Sequence, residues 1–263
     1  MAESGLSLGF TDLKAAVGRL LGYGSVSANW SAAQLAEIVG IVQTGYRRVL
    51  YPPSIVEGAA GYQWTFLRPT STLTITSAAA DYSLPDDFGS LVGGFHYAED
   101  VYLPMVQVVP LSTILDARSG SNRTGDPEFV ATRFKSSDGS RGQRQEALFY
   151  PAPDQTRVLS YSYDAYQGAL SDSYPYPLGG MQMSELYKES CLAIVEVDYL
   201  DQPGPHFETF KALLADAIAR DRKHGARRFG NMGNPSEITT DVFKRGGQLH
   251  DGAYSITYKG SYI

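Results

Sequence analysis

The chain has 263 residues, 43% of them hydrophobic and 19% charged, and a formal net charge of −6. This composition is typical of a globular protein with its own core, and it argues against a disordered, collagen-like or membrane-bundle chain. No apolar run approaches the ~20 residues that span a bilayer, so no membrane partner is expected. The acidity disfavours tight wrapping of nucleic acid, because that affinity comes mainly from neutralised phosphates. The one cysteine, Cys191, excludes an internal disulfide and predicts synthesis in a reducing compartment.

Two helices are predicted in the first 60 residues. Apolar side chains recur at helical spacing over 11–21, and Gly22 then supplies the stop. The second helix is the clearest element of the sequence. Ser31 and Gln34 form a capping box at its start, and a continuous apolar stripe then runs until Pro52 ends it.

A period of two replaces the helical period from about Gly61, which indicates β-strands separated by turns rich in Gly, Pro, Ser and Asp. Between these runs, the segment 119–145 carries Gly, Ser, Asn and basic residues, and its ends are typical of exposed loops. The predicted strands are 62–67, 72–76, 81–88, 91–98, 101–109, 129–135, 146–151 and 157–166.

The helical period returns near Ser184 and predicts helices over 184–200 and 206–225, with a tight break between them. The last stretch, 226–263, holds six glycines and no sustained period. It therefore reads as an extended C-terminal arm.

These elements predict an α+β fold. Both chain ends, 1–60 and 181–225, are too short of core to stand alone, so we expect them to pack into one helical bundle. The β-rich block 61–180 would then be an insertion, and 226–263 the arm. The order of the strands within the block stays open.

The sequence predicts no catalytic, cofactor-binding or metal-binding residue. None of the four histidines has a partner at a metal-ligand spacing, and no nucleotide-binding or hydrolase motif is present. Cys191 lies within a predicted helix and is expected to be a small buried apolar residue. Asp86 and Asp87 are adjacent in the chain, so turn capping is a better account of them than catalysis.

The charge division between the last two helices suggests an interface. Residues 184–208 hold six acidic side chains and one lysine, whereas 219–228 hold five basic side chains and one aspartate. The simpler interpretation is that basic residues suit a helix C-terminus and that both faces are solvated. The alternative is a head-to-tail contact between copies, which closes into a ring. Its candidate residues are Arg220, Arg222, Lys223, Arg227 and Arg228.

Tyrosine occurs 18 times, and several aromatic residues lie along the glycine-rich arm. Tyrosine favours strands, but this preference does not explain tyrosines in an arm that has no core. We expect the arm to order on a partner, and the alternating run 254–258 suits addition to a sheet edge. The candidate interface residues of the arm are Phe243, Tyr254, Ile256, Tyr258 and Tyr262.

The order of the motifs resembles the head–tail adaptor, or connector, proteins of tailed bacteriophages, including the tail tubular protein A type of short-tailed phages. The resemblance covers roughly residues 30–225. The long loop 119–145 and the arm depart from the pattern. The stretches that carry the resemblance are Tyr62–Leu67, Tyr82–Phe88, Leu148–Asp154, Leu159–Asp164 and the final helix pair with Asp216 and Asp221.

This resemblance implies a structural protein without catalytic residues. It implies a ring, usually dodecameric, between the portal and the tail or nozzle protein in the virion neck, with DNA passing through the lumen. The chain would be made in the host cytoplasm, and terminal arms of such proteins dock on the portal or on neighbouring subunits. The acidity agrees with this role, because it lets DNA slide rather than bind.

The sequence is compatible with two other functions. A tail-associated hydrolase of polysaccharide or cell wall would need two carboxylates about 5–9.5 Å apart across a cleft. A carbohydrate-binding β-module would use tyrosines as stacking platforms. The residues available by composition to the hydrolase are Glu99, Asp100, Asp164 and Asp172.

Overall fold

The computed structural model describes residues 4–52, 61–77, 79–99, 101–121, 123–137, 139–140, 142–200 and 202–224. Within these residues the chain is α+β, with five α-helices and two sheets. The predicted helices at both ends of the chain are confirmed, and one helix was not predicted. The helices are α1 (Phe10–Leu20), α2 (Ala32–Leu50), α3 (Leu111–Gly120), α4 (Ser184–Leu200) and α5 (Pro205–His224).

The start of α2 confirms the predicted capping box. The Ser31 hydroxyl accepts the backbone N–H of Gln34 at 3.3 Å, and the Gln34 side chain accepts the N–H of Ser31 at 2.8 Å. Helix α1 begins at Phe10, one residue before the predicted range 11–21. Its first turn is closed by Asp12, whose carboxylate accepts the N–H of Gly9 at 2.8 Å. Both helices thus satisfy N–H groups that have no partner within the helix.

Helix α4 lies at the centre of the helical region. Eight consecutive residues, 189–196, are buried, so every face of the helix is covered. It packs against α1, α2 and α5. The core around it includes Leu13, Val17, Ile38, Val42, Val49, Leu186, Ile194, Phe210 and Leu214.

The predicted helical bundle of the two chain ends is wrong as a description of the fold. The helices are arranged around α4, and their core is completed by Trp64, Leu67 and Leu170 from the block predicted to be an insertion. The block also contains α3, so it is not purely β. The reason is that the short helices do not cover α4 alone, and apolar residues outside the helices complete its burial. The domain boundaries at 60 and 180 stay a prediction, and the arm 226–263 lies outside the described residues.

The first sheet has the strand order β1-β7-β3 and the second the order β2-β6-β5-β4. All pairings are antiparallel except that of β4 with β5, which α3 connects. The strands are β1 (Thr70–Ile75), β2 (Asp81–Ser83), β3 (Phe88–Tyr97), β4 (Gln107–Val108), β5 (Phe129–Phe134), β6 (Gln145–Tyr150) and β7 (Arg157–Ala165).

Side chains from the two sheets share one aromatic core. Three aromatic side chains are buried there: Phe95 of β3, Phe149 of β6 and Tyr161 of β7. The centre of the Phe95 ring lies 4.7 Å from that of Tyr161 and 5.2 Å from that of Phe149. The opposite face of the second sheet packs on α3 through Ile114 and Leu148. The period-two alternation of the strands thus supplies two buried faces.

Two predicted strands are largely absent. Residues 62–67 form a short 3₁₀ turn, Thr65–Leu67, because Trp64 and Leu67 pack into the helical core instead of a sheet. Of the predicted strand 101–109, only β4 and Val106, which forms an isolated bridge to Phe95, are paired. In the part of the chain that the structure describes, no helix is both long and apolar enough to cross a membrane.

Candidate interaction site at the end of helix α5

Three of the predicted interface residues, Arg220, Arg222 and Lys223, lie in the last turns of α5. Arg222 and Lys223 are exposed, and no ion pair to either is present among the described residues. Arg220 pairs with Asp216 one turn earlier, at 3.0 Å. The other predicted residues lie outside the described part of the chain: Arg227, Arg228, Phe243, Tyr254, Ile256, Tyr258 and Tyr262.

Asp221 fixes the end of α5 to the segment that follows residue 60. Its carboxylate accepts the Tyr62 hydroxyl at 2.7 Å, the Thr65 hydroxyl at 2.6 Å and the Thr65 backbone N–H at 3.0 Å. Hydrogen bonds to an ionised carboxylate are stronger than those between neutral groups. The single acid within the basic cluster is therefore an internal anchor.

The same contacts change the chemistry of Tyr62. Burial, together with the hydrogen bond to Asp221, raises the pKa of the Tyr62 hydroxyl to about 12. The Arg222 guanidinium lies 5.4 Å from the centre of the Tyr62 ring, within the range of a cation–π contact. The Asp221 carboxylate thus favours the neutral hydroxyl, and the Arg222 guanidinium acts against that shift of the pKa.

An aromatic run connects this anchor to the helical core. Tyr62 meets Trp64 edge-on at 5.0 Å between ring centres, and Trp64 stacks on Phe66 at 5.4 Å. The buried indole N–H of Trp64 donates to the carbonyl of Val49 at 2.8 Å. The end of α5 is therefore set relative to α2, and the exposed Arg222 and Lys223 have a defined position.

Fewer acidic side chains of the stretch 184–208 are exposed than the sequence suggests. Glu196 is buried and accepts the backbone N–H groups of His206 and Phe207, at 3.2 and 3.0 Å, at the start of α5. Glu189 is also buried and lies 2.6 Å from the His206 ring nitrogen. These carboxylates join α4 to α5. Sequence reasoning missed this role because the partners are 10 and 17 residues away. The acids of the stretch that remain exposed in the described residues are Glu185, Asp198 and Glu208.

A second surface feature is an aromatic groove between α2 and the end of β7, lined by Tyr51, Tyr166, Arg47 and Gln167. Its volume is about 440 Å³. The Tyr51 hydroxyl accepts the N–H of Gln167 at 3.0 Å, and the two tyrosine rings meet edge-on at 6.2 Å. This groove is open and carries no carboxylate.

The acidic pair at 86–87 does not converge on one point. Asp86 forms an ion pair with Arg144, in a cleft of about 620 Å³ that Lys135 also lines. Asp87 instead accepts the hydroxyl of Tyr163 at 3.1 Å. Each carboxylate is taken up by its own partner.

Two of the residues considered for a hydrolase likewise each have a basic partner of their own. Asp164 pairs with Arg68 at 2.8 Å and Asp172 with Lys14 at 3.2 Å, while Asp100 lies outside the described residues. Among the residues that the structure describes, no group of three or more His, Cys, Asp or Glu could hold a metal ion.

Cys191 is buried against α2, as predicted. Its side chain is 1% exposed, and burial raises the pKa of the thiol to about 12. A Cβ on Gly45 would lie 2.7 Å from its sulfur. The cysteine therefore lies at a close approach of α2 to α4 and has no features of a nucleophile.

Comparison with known protein families decides what kind of protein carries these features. The family model of the SU10 adaptor protein matches residues 9–236. The chain belongs to the SU10 adaptor protein family. This is a family of phage head–tail adaptors, so the resemblance drawn from the sequence is confirmed. No curated protein matches the chain.

The match covers all five helices and both sheets of this adaptor, together with the anchored end of α5. It stops at residue 236, so residues 237–263 lie beyond it. A bacteriophage adaptor is a structural protein. The basic residues at the end of α5 and the aromatic residues of the arm stay predicted interface residues.

Proposed function

We propose that this adaptor forms a ring in the virion neck that joins the portal of the phage head to the tail or nozzle protein. By resemblance, the ring contains twelve copies, which are made in the host cytoplasm before assembly. Packaged DNA passes through the lumen of the assembled ring. The observation that carries the proposal is the family match over residues 9–236.

The end of α5 supports contact between copies. Arg222 and Lys223 are exposed on a helix end that Asp221 holds in place. The exposed Glu185, Asp198 and Glu208 offer charges of opposite sign on the same chain. A heterologous contact between such opposite charges on adjacent copies repeats around a ring and closes it.

The arm 226–263 supports contact with a partner. It carries tyrosines and isoleucines spaced along a glycine-rich sequence. In this proposal the arm binds the portal or an adjacent adaptor. The net charge of −6 suits a lumen that DNA traverses without being gripped.

The proposal is tested by light scattering after size exclusion, with the adaptor alone and mixed with purified portal rings. We expect a single closed oligomer, either alone or templated by the portal, and co-elution with the portal. An adaptor that stays monomeric in both conditions, and that does not co-elute with portal rings, contradicts it.

A charge reversal tests the contact between copies. Arg222→Glu with Lys223→Glu should weaken self-association and make the remaining association less sensitive to salt, because exposed pairs are screened. Arg19→Glu with Arg123→Glu makes the same change in net charge outside α5 and should have little effect. Each exposed pair is worth only about 0–1 kcal/mol, so two changes are combined. Equal weakening by the two double variants would assign the effect to net charge alone.

A further inference from the structure

Strand β1 is an open edge of the first sheet. All six residues, Thr70–Ile75, pair with β7 on one side. Among the described residues, no backbone hydrogen bond reaches β1 from its other side. The strand contains no proline and no charged residue, which are the usual protections of an exposed edge. The other outer strands are less regular, since β2 and β4 are short and β3 is interrupted by register shifts.

The pairing with β7 shows which backbone groups of β1 are free. Pro69 lies opposite Tyr163 in this register, and its carbonyl accepts the N–H of Tyr163 at 3.3 Å. Hydrogen-bonded pairs alternate along an antiparallel ladder, so they recur at residues 71, 73 and 75. The N–H and C=O groups of Thr70, Thr72 and Thr74 therefore point away from β7.

The two faces of β1 differ in chemistry. Thr70, Thr72 and Thr74 are exposed, and the first two lie opposite Ser162 and Ser160 of β7. On the other face, Leu73 and the buried Ile75 belong to the core shared by the two sheets. A strand added at this edge needs a polar face and an apolar face in strict alternation.

The stretch Tyr254–Tyr258 of this chain has that alternation. It lies outside the described residues and beyond the family match. In one antiparallel register, Ile256 lies opposite Leu73, with Tyr254 and Tyr258 opposite Ile75 and Ser71. Thr257 and Ser255 then lie opposite Thr72 and Thr74. This register continues the Ser and Thr ladder on one face and the apolar ladder on the other.

We propose that residues 254–258 of one copy add as an antiparallel strand to the β1 edge of a neighbouring copy. The inference rests on the proposed self-assembly and identifies one contact within it. Main-chain hydrogen bonds to Thr72 and Thr74 supply affinity, and the alternating side chains set the register.

The reach of the chain allows a neighbouring copy as the acceptor. The end of α5 is tied to Thr65, and the five residues from there to Thr70 span at most roughly 18 Å. The 29 residues 225–253 reach up to roughly 100 Å when extended. A connection to β1 of the same chain would need only a small part of that length.

Cysteine cross-linking tests the register. Full-length Thr72→Cys and Thr257→Cys chains, carrying different tags, are mixed and oxidised, while the native Cys191 stays buried. Residues opposite each other in a hydrogen-bonded pair are about 5.5 Å apart between Cα atoms, which suits a disulfide. The matched control mixes Thr72→Cys with Ile256→Cys, whose side chain would point to the other face.

We expect the Thr72–Thr257 mixture to yield severalfold more hetero-cross-linked dimer than the control mixture. Equal yields would overturn the register and with it the proposal. A chain carrying both Thr72→Cys and Thr257→Cys that closes within itself, in preference to linking copies, would overturn the neighbouring copy as acceptor.

A backbone variant tests the hydrogen bonds. Thr72→Pro removes an N–H that points away from β7, whereas Thr72→Ala keeps it. We expect Thr72→Pro to weaken self-association about tenfold relative to Thr72→Ala, with the melting temperature of the unassembled chain little changed.

The outcomes separate this inference from the proposed function. If Thr72→Pro assembles as the alanine variant does, the β1 contact is wrong and the ring proposal stands. If the wild-type chain does not self-associate, alone or on portal rings, both are wrong.

Discussion

The helical region and the sheet region of this adaptor differ in how their polar groups are buried and paired. Around α4 the carboxylates of Glu189 and Glu196 are buried and bind the start of α5. In the sheets, ion pairs such as Arg133 with Glu146, at 2.6 Å, are partly exposed. A helix satisfies its interior backbone groups by itself, whereas an outer strand such as β1 leaves half of them free. The helical region is closed on itself, and the sheet region ends in an edge that can bond to another chain.

Trp64 is the clearest exception to this division into two regions. It lies in the β-rich block of the sequence but packs in the core of the helices. It is fully buried and donates to Val49 of α2. We expect Trp64→Ala to lower the free energy of unfolding by about 3–5 kcal/mol in urea titrations. Tyr102→Ala, at a side chain that is 92% exposed, is the control and should change it by less than about 0.5 kcal/mol. Equal effects of the two variants would remove Trp64 from the helical core.

The helical region leaves very little space between α2 and α4 at Gly45. A Cβ on Gly45 would lie 2.7 Å from the Cys191 sulfur and 3.0 Å from its backbone nitrogen. Gly45→Ala should therefore destabilise the protein by about 1–3 kcal/mol. The matched control is Gly40→Ala on the same helix, where the added carbon meets nothing within 4 Å.

Gly40→Ala should leave stability unchanged or raise it by up to about 1 kcal/mol, because alanine is the better helix former. Thermal or urea unfolding of the two variants measures the difference. A stabilising Gly45→Ala would show that α2 and α4 are farther apart than the structure has them.

The buried carboxylates predict a smaller effect. Glu196→Ala leaves two N–H groups at the start of α5 without their acceptor, so it should cost about 1–2 kcal/mol. Glu208→Ala is the control, because Glu208 is exposed and, in the described part of the chain, its ion pair is with Lys211 of its own helix. Denaturant titrations compare the two. If both variants have the stability of the wild type, Glu196 does not cap α5.

The anchor at the end of α5 predicts a pH dependence. The pKa of Tyr62 is raised from 10.0 to about 12 in the folded protein. As the pH rises, the Tyr62 hydroxyl therefore ionises in the unfolded chain before it does so in the folded protein. Its contribution to stability is complete below pH 10 and is lost as the pH rises from 10 to about 12. Tyr62→Phe should lose less stability than the wild type between these two values.

Urea midpoints measured across the alkaline range provide the readout. Tyr46 and Tyr163, whose pKa values are also raised to about 12 by burial, contribute equally to both proteins. Tyr102→Phe, at a side chain that is 92% exposed, is the matched control for the loss of a tyrosine hydroxyl. A Tyr62→Phe curve parallel to that of the wild type would show that the hydroxyl titrates normally.

Local patterns in the sequence predicted most of the elements. Helices α2 and α4 have long apolar periods or a capping box, and β7 alternates clearly, so spacing alone identifies them. Helix α3 escaped because Ile114 is its one buried residue, which leaves no apolar stripe to detect. The run 62–67 alternates like a strand but turns, because Trp64 is drawn into the helical core and Asp221 holds Thr65.

The sequence by itself determined the family, the types of the main elements and the basic cluster at the end of α5. Only the tertiary structure decided which charges are internal. The Tyr62 partner of Asp221 lies 159 residues away, and the buried positions of Glu189 and Glu196 follow from the packing of α5 on α4. Periodicity records which face of an element avoids water, but it carries no information on which distant element covers that face. For that reason the central position of α4 and the open edge at β1 became visible only in the folded chain.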